Sequence, residues 1–89
     1  MGRLQSLQDI CILDVSVDFA GTGVRLDLFG GPSRICGSLA MSLAADNAAD
    51  HVGLLRRWQR DQTRLTLVSH ESHVTLTDDA ALVAAATRP

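Results

Sequence analysis

Two histidines, a glutamate and several hydroxyl residues crowd into "LVSHESHVTLTDD", residues 67–79. His70 and His73 flank Glu71, and Asp78 and Asp79 follow. Such a set has the groups to bind a divalent metal or to move protons. Zinc, however, asks for three or four ligands in a tetrahedral array. His70 and His73 would share an ion only across a tight turn, with a third ligand from Glu71, Asp78 or His51. "HESH" also differs from the helical zinc-protease pattern, which places two residues between the glutamate and the second histidine. The stretch therefore reads as a hairpin tip with solvated histidines, and no metal or other cofactor is expected.

The second candidate is "RRWQRDQTR". Arg56, Arg57, Arg60 and Arg64 flank Trp58, the single tryptophan. Arginines around an aromatic ring suit a phosphate backbone or an acidic protein. Arginines near the end of a helix also complement its dipole, and a tryptophan there packs against a sheet. Arg57 points about 100° away from Arg56 on a helix, so the cluster is divided between faces. These five residues form the expected partner-binding set. A protein partner is favoured over nucleic acid because the formal net charge is −2.

The remaining groups make poor catalytic sets. Cys11 and Cys36 read as reduced thiols, Cys11 in phase with buried positions and Cys36 near the surface. No third group is placed to orient a Cys–His pair. Asp14, Asp18 and Asp27 fall on the outer face of strands, where carboxylates are solvated. "GTG" and "FGGPS" lack the full phosphate-loop pattern. The chain is accordingly expected not to be an enzyme.

Composition narrows the class further. The chain has 89 residues, enough for one small domain over residues 1–89. Hydrophobic residues make up 46% and aromatics only 3%, so the core must be aliphatic. All eight basic residues are arginine, and Glu71 is the sole glutamate. This bias fits a GC-rich coding sequence such as that of an actinobacterium or its phages. No apolar run approaches the roughly 20 residues that cross a bilayer, and the start of the chain lacks the apolar core of a signal peptide. Gly2 and Ser6 meet the myristoylation pattern only in part. A cytoplasmic protein with no membrane contact is expected.

The elements that position these residues follow from periodicity. "DICILDVSVDFAGTGVRLDLFG" alternates apolar and polar residues on both sides of "AGTG" and predicts a hairpin. Its expected register sets Phe19 opposite Val24, Val17 opposite Leu26, Val15 opposite Leu28 and Asp18 opposite Arg25, over a Gly21-Thr22 turn. "RICGSLAMSL" predicts a third strand, in which Gly37 marks a bulge or a close approach. Residues 42–60 predict a helix with Ala45, Ala48, Val52, Leu55 and Trp58 on one face and Ser42 or Asp46 as its cap. "TRLTLV" and "HVTLT" predict two further strands. Pairing Leu67 with Val74 and Leu65 with Leu76 leaves a four-residue loop, Ser69-His70-Glu71-Ser72, which keeps the histidines apart. "TDDAALVAAAT" predicts a short terminal helix capped by Thr77 or Asp78.

The resulting order is β-β-β-α-β-β-α. It describes an α+β domain, with a mostly antiparallel five-stranded sheet and the long helix packed on one face. Such a sheet retains open edges, so the expected function is a non-enzymatic protein-interaction or assembly module. It would bind a protein partner or itself, as a homodimer. The alternative is a nucleic-acid-binding regulator acting through the arginine cluster.

Overall fold

A computed structural model describes residues 5–32 and 34–88, with only the backbone of Ile35. Gly2, and with it the myristoylation pattern, lies outside the described residues. Six strands form: β1 (Gln5–Val17), β2 (Gly23–Gly30), β3 (Ile35–Ser42), β4 (Leu65–His70), β5 (His73–Thr77) and β6 (Leu82–Thr87). One helix, α1 (Ala48–Asp61), follows a 3-10 turn at Ala45–Asn47. The strands close a barrel in the order β1-β2-β3-β6-β5-β4, and every neighbouring pair is antiparallel. The expected open sheet of five strands with a helix across one face is thus corrected to a closed six-stranded barrel.

The expected terminal helix is the main source of that difference. Asp78 does behave like a helix cap, accepting the backbone N–H groups of Ala80 and Ala81 at 2.7 Å each. The chain then extends instead of coiling. Val83 and Ala85 point into the core while Leu82, Ala84 and Ala86 face out. Alanine carries little period-two signal because it fits either face, and its helix propensity yields to pairing with β5.

β1 is long because it serves two neighbours in turn. Gln5 to Ile10 pair with β4, whereas Ile10 to Val17 pair with β2. The register shifts between Leu7 and Ile10 and again between Ile12 and Asp14. The second irregularity changes which residues face inward, as a bulge does. Ile10 and Ile12 are buried before it and Val15 after it, leaving Leu13 exposed and Cys11 half-buried. The expectation that Cys11 lies in phase with the buried positions of this strand is therefore corrected.

Both hairpins sit two residues from the expected registers. Val17 faces Val24, Val15 faces Leu26, and Ser16 meets Arg25. Phe19 lies in the connecting turn, fully exposed, and not opposite Val24. In the second hairpin Leu67 faces Leu76 and Ser69 faces Val74, so the turn is the tight pair Glu71-Ser72. Glu71 adopts φ 56° there, the left-handed region that glycine or asparagine ordinarily supplies. A slip of two preserves which face is apolar, so hydrophobic pattern alone cannot distinguish these registers.

The core is aliphatic, as composition requires. Ile12, Leu26, Met41, Leu65, Leu76, Val24, Val74 and Val83 fill the barrel. α1 packs chiefly against β1, on the stretch that has left β4 behind. Ala48, Leu55 and Trp58 are its buried residues; Val52 is half-buried, and Ala45 lies outside the helix and is exposed. Its N-cap is Asn47, with no side-chain capping bond, so neither Ser42 nor Asp46 caps it. At the far end Gln59 Nε2 donates to Leu13 O at 3.1 Å and Gln62 Nε2 to Ile12 O at 3.3 Å. These amides meet carbonyls at the β1 irregularity that no β4 residue is placed to receive.

Two substitutions test this architecture by chemical denaturation. Leu26→Ala empties a fully buried site and is expected to cost about 2–5 kcal/mol. Gly30 has φ 129°, and a Cβ there would collide with the carbonyl oxygen of Asp9. Gly30→Ala is expected to lose about 1–3 kcal/mol, whereas no comparable loss is expected at Gly53, where a Cβ meets nothing within 4 Å.

Candidate functional site

The sequence candidates are scattered by the fold. Arg56, Arg57, Arg60 and Arg64 are exposed, but Trp58 is 2% exposed. Its ring lies in the core and its Nε1 donates to Asp78 Oδ2 at 3.0 Å. It offers no face to a ligand. Arg60 lies 3.1 Å from the adjacent Asp61, and Arg64 reaches Asp9 at 4.0 Å. His70 and His73 are direct cross-strand partners, contrary to the expected loop, and both are exposed. Among the described residues no group of three or more His, Cys, Asp or Glu converges to hold a metal ion.

A different feature emerges where β3 meets β6. Their ladder contains only Met41 with Thr87 and Ser42 with Ala86. Beyond it, Arg88 N–H donates to Ala40 O at 3.0 Å, and Arg88 lies 3.5 Å from the Asp18 carboxylate. Toward the β2–β3 turn, residues 35–39 pair with β2 on one side, and no described strand lies on the other. The seam of the barrel is open along this stretch.

Two bonds determine which backbone groups the opening leaves free. Leu43 N–H donates toward the β2 side, to Thr22 O at 2.8 Å, whereas Ala40 O accepts from Arg88 on the β6 side. Along an antiparallel strand the N–H and C=O of one residue point the same way and alternate from residue to residue. Gly37 and Leu39 therefore bond to β2, while Cys36 and Ser38 direct their N–H and C=O into the opening. Cys36, Gly37 and Ser38 are all exposed.

Behind this edge lies an apolar pocket of about 190 Å³, lined by Leu7, Ile10, Leu28, Leu39 and Leu67 with Gly37 and Ser38 at its rim. Its aliphatic walls suit a single apolar side chain. The volume falls below the roughly 300 Å³ at which small-molecule sites begin. The opposite half of the seam is different. There Ala84, Ala85 and Ala86 of β6 share a shallow groove with Ser42 and Ala44, so the chain itself flanks that edge.

The edge was missed in the sequence, although its signs were present. From Ile35 to Ala40 the chain reads "ICGSLA", without charge, proline or lysine. Exposed edges in natural sheets are ordinarily guarded by such residues. Compared with family models, curated proteins and solved structures, the chain matches none. Among the described residues no helix is long and apolar enough to cross a membrane.

Two carboxylates brace the barrel around the seam and α1. The Asp78 carboxyl is held below its ordinary pKa chiefly by the N–H of Ala80, then that of Ala81, with the Trp58 indole adding to them. Asp18 is lowered chiefly by its hydrogen bond with the Gly23 backbone, then by those with Gly21 and by Arg88. A lowered carboxyl contributes stability that is complete above its unfolded pKa and lost as pH falls through the folded one. Denaturation midpoints should fall between about pH 5 and pH 2. Asp78→Asn is expected to be less stable at neutral pH and to lose less on acidification. An unchanged acid dependence in both Asp78→Asn and Asp18→Asn would contradict these assignments.

Proposed function

We propose that this protein is a non-enzymatic interaction module that takes an extended protein segment along the free edge of β3. One observation carries the reading: Cys36 and Ser38 turn unpaired backbone groups outward beside an aliphatic pocket. Strand addition of this kind uses main-chain bonds for affinity and side-chain pockets for specificity. The incoming strand would bond to Cys36 and Ser38 and cover the pocket between Leu28, Leu39 and Leu67, which has room for one apolar side chain. The arginine cluster does not support the nucleic-acid alternative equally, because its aromatic member is buried.

Selection of a displayed random-peptide library on the immobilised chain tests this reading. The enriched peptides are expected to carry apolar residues at alternate positions and to lack proline at their centre. Ser38→Pro removes an outward N–H without breaking a backbone bond to β2, losing there only the exposed Ser38 Oγ bond to Asp27 Oδ1 at 2.8 Å, and proline is tolerated at such edge positions. It is expected to weaken those peptides by about tenfold or more, equivalent to about 1.4 kcal/mol. Peptides that bind Ser38→Pro and the parent chain alike would contradict the proposal.

A further inference from the structure

We infer that the strand added at this edge is β3 of a second copy of the chain, antiparallel across a two-fold axis at Gly37; the inference rests on the edge reading above. The free stretch is short and bounded at both ends. Arg88 already occupies Ala40 O, and Arg34 turns out of the strand at φ 51° with its N–H donated to Gly31 O at 3.1 Å. Between these limits Cys36 and Ser38 are the residues whose outward N–H and C=O are both unpaired. A two-fold axis at Gly37 sets Cys36 of each copy opposite Ser38 of the other. Every outward N–H and C=O of both residues then finds a partner, and none is left over.

Side chains fit the same arrangement. A two-fold axis between non-bonded residues brings two Cα atoms to about 4.5 Å, the closest approach in an antiparallel ladder. The residue on the axis is Gly37, which has no side chain and nothing within 4 Å of its Cβ position. Cys36 and Ser38 are small. The unguarded sequence "ICGSLA" is what a habitually paired edge permits. Pairing identical edges about a two-fold axis also closes the assembly at two chains, whereas pairing β3 with the β6 edge of another copy would propagate. The second β3 would lie across the mouth of the aliphatic pocket and shield Leu28 and Leu39 from water.

This register places the two Cys36 side chains diagonally across the axis, with Cα atoms about 7–8 Å apart. A short bis-maleimide therefore tests it directly. In Cys11→Ser, the reagent is expected to join two chains through Cys36 in dilute solution, at concentrations where light scattering gives twice the chain mass. Ser38→Pro and, independently, Cys36→Lys are expected to give monomers at the same concentration with the far-ultraviolet spectrum of the parent. The lysine variant requires no backbone change, so it decides the matter if the proline variant does not fold. A monomer at all concentrations overturns the second-copy inference and leaves the edge reading to its own peptide test. A dimer that persists in Cys36→Lys, or a Cys11→Ser dimer whose Cys36 thiols the reagent does not join, also overturns it, by placing the interface elsewhere.

Discussion

The barrel depends on β1 changing partners at Ile10. A six-stranded sheet that closes on itself must stagger its strands, and here one long strand absorbs the stagger. The first half of β1 belongs to β4 and the second half to β2. From this division follow the two irregularities in β1, the exposed Leu13 and the orphaned carbonyls of Ile12 and Leu13. The position of α1 follows as well. Gln59 and Gln62 satisfy those carbonyls, and Leu55 and Trp58 close the core beneath them. The helix completes a barrel whose strands part company and does not cover the face of an open sheet.

The seam on the opposite side is open. β3 and β6 pair only at Met41 and Ser42, so a stretch of β3 has no neighbour among the described residues. The Arg88–Asp18 pair holds the seam where the overlap ends. Exposed ion pairs of this kind contribute little by themselves. The backbone bond from Arg88 to Ala40 limits the opening more firmly, because it occupies the carbonyl next in line after Ser38. What remains is a short edge with a defined length and a defined alternation of free groups. The proposed interaction surface is thus a matter of strand overlap, not of a motif.

Much of this was legible in the residues, and the rest fails for specific reasons. Five of the six strands stand out as period-two patterns, and the helix shows its buried face at Ala48, Leu55 and Trp58. β6 was hidden because "ALVAAAT" alternates in burial without alternating in residue type. Closure into a barrel was hidden with it, since a sheet lacking its last strand has nothing to pair with β3. The hairpin registers were out of reach because a slip of two keeps every apolar residue on the same face. Only the left-handed Glu71 makes the tight turn possible, and glutamate gives no sign of that conformation. The site is a property of which strands overlap, so no residue type announces it. The missing guard residues along "ICGSLA" were the one available signal.

Cys36 and Ser38 carry backbone groups that no described strand of the chain pairs and that an added strand can take. Amide hydrogen exchange across β3, followed from dilute to concentrated protein, tests this most directly. In dilute protein the amides of Cys36 and Ser38 should exchange rapidly while those of Gly37 and Leu39, bonded to β2, stay protected. On concentration Cys36 and Ser38 should become protected together. Slow exchange at Cys36 and Ser38 at every dilution, equal to that of their neighbours, would contradict the account by showing that the edge is already paired within the single chain.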